Sequence, residues 1–248
     1  METNRDTIDH FRELIAAASS MVILTGAGIS TESGVPDFRS PGGLWEKFRI
    51  VEYGEYVESE AARIEDWHRR FFMKDQIGAV EPNVGHRKIA DWLNTGKAQY
   101  LITQNVDGLH QRGGAPDDKM IEIHGNATTA SCIACSLNHD MDLCRELFEK
   151  THESPKCTNC GGLIKADVVM FGEPMPKDKT NKAFQIAETA DLFLAIGTSL
   201  VVQPAAVLPL HAKRNNAKFA ILNRDPTELD RFADCVLNGE IGEVLANV

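Results

Sequence analysis

Four cysteines stand in two pairs whose spacing is typical of a metal-binding module. Cys132 and Cys135 form the first pair, Cys157 and Cys160 form the second, and 21 residues separate them. Four thiolates make a closed tetrahedral shell for zinc, which leaves no position for a reacting water. In a cytosolic chain this pattern favours metal over disulfides. We therefore predict one structural zinc ion, in preference to four unliganded cysteines.

A glycine-containing turn follows the first apolar run of the chain. Met21 to Leu24 reads MVIL, and Gly26-Ala27-Gly28-Ile29 comes shortly after it. Such a turn at the end of a strand lets backbone N–H groups approach a pyrophosphate. However, the third glycine of the GxGxxG pattern is missing, and the second predicted strand ends in amides instead of the ribose-binding acid of dehydrogenases. Taken alone, the turn fits a nucleotide site and a ligand-free connection equally well.

Polar side chains follow two further apolar runs, at the points where the predicted strands end. Gln104, Asn105 and Asp107 come after YLIT, and His124 comes after MIEI. Ligands of open parallel sheets bind outside the carboxyl ends of the strands. The amides and the carboxylate suit ribose hydroxyls and a carboxamide, and a histidine there can accept a proton near neutral pH. Helix capping by the first group and a structural role for His124 would explain the same residues without a ligand.

Three more strand ends carry groups that could bind a nucleotide or a peptide. Gly197, Thr198 and Ser199 follow the run DLFLAI, Asn223 ends the run KFAILN, and VVMFGEP places a glycine and a glutamate after an apolar run. Small hydroxyl side chains at such a position can hold phosphate or ribose. An ordinary sheet strand is an equally good interpretation of VVMFGEP, so none of these segments decides the function alone.

Apolar runs and helical patterns alternate along most of the chain. This alternation predicts an α/β fold, a parallel sheet with helices on both faces. A helix is also predicted near 140–150, between the cysteine pairs, and the aromatic-rich stretch 44–80 is predicted to be inserted helices. The remaining predicted helices are 7–18, 86–94, 178–190 and 204–214, and the strands are 21–24, 98–105, 120–126, 166–171, 191–197 and 218–223, followed by a final strand and short helix.

Composition excludes some classes of partner. The 248 residues carry a formal net charge of −10, whereas nucleic-acid binding needs clustered Lys and Arg, so we expect no nucleic-acid partner. No apolar run approaches the roughly 18 residues that span a bilayer. The N-terminal stretch METNRDTIDHFRELI lacks the basic-then-apolar order of a secretory signal. We therefore expect a cytoplasmic protein with no membrane partner.

Together these motifs closely resemble the sirtuin family of NAD-dependent protein deacylases. The resemblance rests on GAGISTESGVPDFR, TQNVDGLH, HG, the two CxxC pairs, VVMFGE, GTSLVV and LN, which occur in the order of the family. It extends from about residue 8 to the C-terminus. It implies a Rossmann-like parallel sheet with a smaller zinc-ribbon and helical module. It also implies that NAD is a co-substrate whose nicotinamide leaves.

The resemblance further implies which residues bind NAD. The glycine turn would cradle the pyrophosphate, and the segment after it would be a mobile cofactor-binding loop. Within that loop, Phe38 would shield the ribose from water and Arg39 would hold the loop and the phosphates. Ser199 and Asn223 would contact the adenosine half. The matching positions are Gly26, Ala27, Gly28, Ile29, Asp37, Phe38, Arg39, Gln104, Asn105, Val106, Asp107, Gly197, Thr198, Ser199, Asn223 and Cys235, the last through backbone near the adenine.

The implied reaction transfers an acyl group from lysine to ADP-ribose. The acyl carbonyl oxygen attacks the anomeric carbon, nicotinamide leaves, and the products are nicotinamide, O-acyl-ADP-ribose and free lysine. Asn105 would orient the ribose, Asp107 would accept a hydrogen bond from the carboxamide, and His124 would be the general base on the ribose hydroxyls. The residues that match the substrate-pairing strand, a β-augmentation mode, are Val169, Phe171, Gly172 and Glu173.

The resemblance also implies two interleaved domains, with the active site in the cleft between them. The large NAD-binding domain would comprise 1–40, 86–125 and 166–248. The small domain would join the helical insertion, 41–85, to the zinc-binding module, 126–165.

Acyl preference depends on one departure from a family pattern. Sirtuins that prefer succinyl or malonyl groups resemble one another in a Tyr-x-x-Arg pair, and the best match here runs from Trp67 to Arg70, with Trp in place of Tyr. This favours acetyl or another apolar acyl group over an acidic one, and a longer-chain or acidic-acyl deacylase is the alternative. The same site would also suit a mono-ADP-ribosyltransferase, an NAD glycohydrolase or a non-enzymatic nucleotide sensor. VVMFGE disfavours pure hydrolysis, and His124 disfavours a pure binder.

Overall fold

The computed structural model of the protein describes residues 5–36 and 48–248, and in these ranges nine strands form two sheets. The strands are β1 (Met21–Thr25), β2 (Ala98–Thr103), β3 (Met120–Glu122), β4 (Gly125–Cys132), β5 (Asn138–Asp140), β6 (Ile164–Val168), β7 (Leu192–Ile196), β8 (Lys218–Asn223) and β9 (Cys235–Asn238).

The larger sheet has six strands in the order β3-β2-β1-β7-β8-β9. All neighbouring pairs are parallel. Every residue of β1 and of β7 is buried, which is why these strands are continuous apolar runs and do not alternate with polar residues. The carboxyl ends of β1, β2, β7 and β8 therefore meet along one edge of the sheet.

Helices cover both faces of the larger sheet, as predicted. One core cluster includes Ile15, Ile89 and Leu245, and a second, on the other face, includes Ile186 and Leu208. None of the helices in the described ranges is long and apolar enough to cross a membrane. The helices are α1 (Arg5–Ala17), α2 (Tyr53–Glu58), α3 (Glu60–Gly78), α4 (Val84–Asn94), α5 (Leu109–Arg112), α6 (Met141–Thr151), α7 (Lys177–Glu188), α8 (Leu208–Arg214) and α9 (Ile241–Ala246).

The smaller sheet is antiparallel, with the order β5-β4-β6. Helices α3 and α6 cover it with aromatic side chains, because Trp67, Phe71 and Phe148 share a core cluster with Ile164 of β6. Helix α2 is attached through the Tyr56 hydroxyl, which donates to the Ile164 carbonyl at 2.6 Å. The inserted helices therefore pack directly against the cysteine-bearing strands.

The predicted α/β class is confirmed, but two predicted strands are wrong in detail. The run at 120–126 is broken into β3 and β4, because Gly125 has φ +87°, a left-handed conformation that glycine favours. The run at 166–171 is β6, which starts at Ile164, ends at Val168 and belongs to the antiparallel sheet. The expected domain boundary between residues 165 and 166 thus falls inside β6, and the division into two domains stays a prediction.

Candidate active site

A cavity of about 530 Å³ lies between the two sheets, at the carboxyl ends of the parallel strands. Gly26, Gln104 and Gly197 follow β1, β2 and β7 directly, and Asn223 ends β8; all four line this cavity. The opposite wall includes the segment after β6. Parallel strands place their ligands at this edge, because the loops that follow them converge there.

The glycine turn packs against the loop that follows β7. The Gly28 N–H donates to the Gly197 carbonyl at 2.8 Å, and the Gly26 N–H donates to the Ile196 carbonyl at 3.2 Å. A Cβ atom on Gly28 would lie 2.8 Å from the Gly197 oxygen, so no side chain fits. These two N–H groups are therefore already bonded, and the glycines permit the close approach of two loops.

A short helix follows the glycine turn. Ala27–Ser33 forms a short 3₁₀ helix. Ala27 lines the cavity, whereas Ile29 is fully buried beneath it. A pyrophosphate cradle made by these backbone N–H groups stays a prediction, and the N–H groups of Gly26 and Gly28 do not support it.

Polar side chains suited to a nucleotide line the same edge of the cavity. Gln104 Nε2 donates to Thr198 Oγ1 at 2.9 Å, which fixes both strand-end loops. Ser199 and Asn223 line the cavity as expected, and so does Arg224, which sequence reasoning missed. The signal for Arg224 was its position directly after the strand-end Asn223. A cation among hydroxyl and amide groups fits the phosphates and riboses of NAD.

His124 lies in the turn between β3 and β4 and lines the cavity. Its Nδ1 is 3.2 Å from the Gln104 carbonyl, which can only accept, so Nδ1 carries the proton and Nε2 has a free lone pair. Burial lowers the pKa of His124 below its usual 6.5, against a smaller opposing effect of the bond to Gln104. The imidazole is therefore neutral at pH 7, as a general base must be.

Behind the cavity wall, one serine hydroxyl joins three polar side chains. Ser30 Oγ donates to Asp107 Oδ2 at 2.7 Å, accepts from Asn105 Nδ2 at 3.1 Å and lies 3.3 Å from His86 Nε2. Asn105 also lines the cavity, so the cluster reaches the site through its amide. Sequence reasoning missed Ser30 and His86, because they are far apart in the chain and neither stands at a strand end.

The start of α4 holds the His86 ring in place. The backbone N–H of Asn83 donates to His86 Nδ1 at 3.3 Å as part of a capping box. The Asn83 Oδ1 also lies 3.0 Å from His86 Nδ1, so the donor and acceptor roles of the His86 ring, including the one towards Ser30, depend on its tautomer. Burial, with a smaller contribution from Arg87, lowers the pKa of His86 to about 4, so it is neutral under ordinary conditions.

Asp107 does not reach the cavity directly in this structure. Its side chain is buried, with Oδ2 bonded to Ser30 and Oδ1 accepting from the Leu109 N–H at 2.9 Å. Burial raises its pKa, partly opposed by these hydrogen bonds. Asp107 thus satisfies the first N–H of α5, and a direct contact between Asp107 and nicotinamide stays a prediction.

Cys235 is not at the site, and that assignment needs correction. It is buried at the start of β9, the end of the strand opposite to the cavity, and its Sγ is 3.8 Å from the Thr7 carbonyl. The residues after the carboxyl end of β9, Gly239 to Ile241, line the cavity instead. The error was in register along the strand, since parallel strands present their carboxyl ends to the ligand.

The expected substrate residues lie on a loop instead of a strand. Val169, Phe171, Gly172 and Glu173 all line the cavity. The Val169 N–H donates to the His124 carbonyl at 2.9 Å, and the Phe171 carbonyl accepts from the Tyr53 N–H at 2.9 Å. These two backbone groups are already bonded, so the pairing of a substrate strand with this loop stays a prediction that would use other backbone groups.

The four paired cysteines come together, as predicted. Their Sγ atoms lie within 4.8 Å of one another, with 3.5 Å between Cys132 and Cys160 and 3.6 Å between Cys135 and Cys157. Four Zn–S bonds at tetrahedral angles require S–S separations of about 3.8 Å. His139 Nε2 lies 3.4 Å from Cys157 Sγ, where an N–H can stabilise a metal-bound thiolate. The cluster fits one structural zinc ion.

The helical insertion supplies charged and apolar walls. Trp67 is fully buried in the small core, whereas Arg69 and Arg70 line the cavity. Both guanidinium groups bind the carboxylate of Asp66, which is itself 1% exposed, with 3.1 Å between Arg70 Nε and Oδ2. Asp66 therefore balances part of the positive charge at this wall. Asp37, Phe38 and Arg39 lie outside the described residues.

The parallel sheet, the cavity at its carboxyl edge and the four-cysteine cluster define a Rossmann-like α/β protein with a zinc module. The sequence profile of the Sir2 family matches residues 26–204. An NAD-dependent protein deacetylase from Rhodopseudomonas palustris is 47% identical over 96% of this chain and 94% of its own length. An NAD-dependent protein deacylase from Thermococcus kodakarensis is 37% identical over 96% of this chain and 93% of its own length. The chain belongs to the Sir2 family.

Solved structures of Sir2 proteins are also similar. One, of Sir2 with a p53 peptide and NAD+, has a TM-score of 0.88 and 32% identity, covering 97% of this chain and 96% of the other. Another, of Sir2 bound to an acetylated peptide, has a TM-score of 0.88 and 31% identity over the same shares. These similarities confirm the resemblance inferred from the motifs.

Proposed function

We infer that this protein is an NAD-dependent protein-lysine deacylase and that acetyl-lysine is its preferred substrate. The observation that carries the proposal is that His124, Asn105, the strand-end loops and the Val169–Glu173 loop line one cavity. Similar Sir2 structures hold NAD+ with a p53 peptide, or an acetylated peptide. A cavity between two sheets, lined by a neutral histidine, by amides and by the Val169–Glu173 loop, suits both substrates at once.

NAD supplies an anomeric carbon from which nicotinamide can leave. Around that carbon, Asn105 binds the ribose through its amide, which Ser30 orients from behind. Asp107 acts through Ser30, since its carboxylate fixes the hydroxyl direction. The phosphates and the adenosine half lie along Ser199, Asn223 and Arg224.

His124 is the general base for the ribose hydroxyls. Its Nδ1–H is held by the Gln104 carbonyl, which presents the basic Nε2 and keeps one tautomer. Its backbone carbonyl binds the Val169 N–H. The base and the loop that would bind the peptide are therefore held in a fixed relation to each other, which favours acyl transfer between two bound substrates.

The acyl group enters from the side of the smaller sheet. Apolar side chains line that part of the cavity, among them Ile50, Met73 and Met170. The two nearby arginines are bound to Asp66, so an acetyl or other apolar group is a better match than a carboxylate. Acid-terminated and longer acyl groups, ADP-ribosyl transfer and NAD hydrolysis are not favoured. A cytoplasmic location and the two-domain division complete the proposal.

Mass spectrometry of an acetyl-lysine peptide incubated with the protein, with and without NAD, tests this function. We expect loss of the acetyl group when NAD is present, together with nicotinamide and O-acetyl-ADP-ribose. A matched peptide with unmodified lysine controls for NAD hydrolysis. Consumption of NAD with the acetyl group retained would refute acetyl-lysine as substrate, and succinyl, longer-acyl and unmodified peptides would then separate acyl choice from ADP-ribosyl transfer.

A further inference from the structure

Lys165, on β6, carries a largely buried positive charge and lies outside the recognised motifs. Its side chain is 11% exposed. The ammonium group donates to the carbonyls of Ala166 at 3.0 Å and Val168 at 2.8 Å, and it lies 3.2 Å from Glu173 Oε2. An ammonium has three donors, and here three acceptors satisfy it. Because all three donors of this ammonium group are used, it holds the two carbonyls and the Glu173 carboxylate in place.

Glu173 turns back onto its own loop. Its Oε2 accepts from the Met170 N–H at 2.8 Å, and the Glu173 N–H donates to the Met170 carbonyl at 3.1 Å. Gly172, between them, has φ +77°, as the tight reversal requires. The Glu173 carboxylate is therefore bonded within its own loop and to Lys165. It is not oriented to bind a peptide directly.

The same loop forms a wall of the active-site cavity and touches the general base. Val169, Met170 and Phe171 line the cavity, and the Val169 N–H binds the His124 carbonyl. Lys165 holds the loop at both ends, through the Val168 carbonyl before it and through Glu173 after it. Movement of the lysine would release both ends.

We propose that Lys165 is a positioning residue for peptide substrate: its ion pair with Glu173 and its bonds to the end of β6 hold the Val169–Glu173 loop in the shape that receives acyl-lysine. The inference rests on the proposed deacylase function. It adds that this loop is held in place by a lysine outside the VVMFGE motif. Lys165 acts through the loop and touches no reacting atom.

Steady-state kinetics of Lys165→Met and Lys165→Arg test the proposal. Met keeps the length of the side chain and removes the charge, whereas Arg keeps the charge. For Lys165→Met we expect KM for an acetyl-lysine peptide to rise by roughly tenfold, with KM for NAD changed by less than about twofold. Lys165→Arg should recover most of the loss. Lys150→Met, at an exposed position on α6, is the matched control and should resemble the wild type.

A binding measurement without turnover separates this role from general destabilisation. Fluorescence anisotropy of a labelled acetyl-lysine peptide should show the same loss of affinity in Lys165→Met, while zinc content stays at one per chain. A variant that is merely less folded would lose kcat at unchanged peptide KM. A lower kcat at unchanged peptide KM would overturn the proposal, and so would unchanged peptide KM and affinity.

A double-mutant cycle identifies the partner. Glu173→Gln should also raise the peptide KM. The double variant Lys165→Met with Glu173→Gln should be no worse than Lys165→Met alone, because both changes remove the same ion pair. Additive effects would contradict the pairing as the cause. If the wild type itself deacylates no peptide, the proposed function fails and not the role of Lys165, and peptide anisotropy still decides that role.

Discussion

The Ser30 hydroxyl shows how one atom can position several functional groups. A hydroxyl has one proton and two lone pairs. Here the proton goes to Asp107, one lone pair receives an N–H group from Asn105, and His86 Nε2 lies 3.3 Å away. Because the proton is held by Asp107, the Ser30 oxygen accepts from Asn105 Nδ2, which gives the Asn105 amide one orientation. The site therefore depends on the Ser30 hydroxyl, which the buried carboxylate of Asp107 orients from outside the cavity.

Asp107→Asn tests this arrangement at the level of a single atom. The carboxylate accepts from both the Ser30 hydroxyl and the Leu109 N–H. An amide has one oxygen, so its NH₂ group would face one of these two donors. Either way one buried hydrogen bond is lost, so we expect a loss of about 1–3 kcal/mol in unfolding free energy, measured with urea. Deacylation and nicotinamide inhibition should both weaken. Unchanged stability would contradict the network.

The protonation of His124 predicts the acid side of the pH profile. Its pKa is lowered below 6.5, so the base stays neutral, and the rate stays high, until the pH falls below that value. We expect kcat/KM for the acetyl peptide to decline only below about pH 6.5, as the imidazole gains a proton. His124→Ala should abolish turnover and keep NAD binding, measured by calorimetry. A variant with near-normal turnover would remove His124 from its role.

At the scale of elements, the start of α3 fastens the helical insertion to the cysteine-bearing module. Glu60 Oε1 accepts from the Ser154 N–H at 2.6 Å, and Oε2 accepts from the Ser154 hydroxyl at 2.8 Å and from Arg63 at 2.9 Å. Burial alone would raise the pKa of Glu60, but these bonds outweigh it and lower the pKa to about 2. One side chain thus joins two segments that are 94 residues apart.

Glu60→Gln should weaken that junction in a pH-dependent way. The native pKa is below the usual value of 4.5, so the carboxylate contributes stability above pH 4.5 and loses it as the pH falls towards about 2. After allowance for solvent screening, we expect the variant to lose about 1 kcal/mol at pH 7 in urea unfolding, and to differ little from wild type near pH 2. Glu58→Gln, exposed at the end of α2, is the control. An equal loss at both pH values would exclude the linkage.

At the scale of the whole molecule, the two sheets have separate cores. The two clusters of the parallel sheet share no residue with the cluster that contains Trp67, Cys132 and Cys157. The cavity lies between these bodies, and each contributes one wall. The two halves of the site therefore have different sources of stability. The nucleotide half depends on apolar burial alone, whereas the peptide half depends on apolar burial and the metal together.

Removal of zinc by a chelator should affect these halves differently. We expect deacylation to be lost, because the wall formed by the small sheet depends on the four thiolates, whereas ADP-ribose binding to the parallel sheet should persist in calorimetry. Trp67 lies in the small core and Trp92 in the large one. In a Trp45→Phe background, the change in tryptophan fluorescence on zinc removal should therefore vanish when Trp67 is also replaced by Phe. Loss of both binding and activity would mean that the cores are not independent.

Much of the fold and part of the site could be predicted from local pattern. The apolar runs of β1 and β7, the helical periodicity of α1 and α4, and the CxxC pairs carry their structural meaning within a few residues. His124, Asn105 and Asn223 were found because each stands where a strand ends. Cys235 was placed wrongly, since its position along β9 depends on the register with β8, which apolar pattern does not reveal.

The sequence by itself determined the cysteine cluster, the α/β class and the family, and it predicted the general base, because these depend on residue type and short spacing. The tertiary structure alone decided that Gly28 is required by Gly197, that Asp107 faces Ser30, and that Lys165 binds Glu173. The physical reason is that a hydrogen bond or a close contact depends on the distance between atoms, and folding sets that distance for residues far apart in the chain.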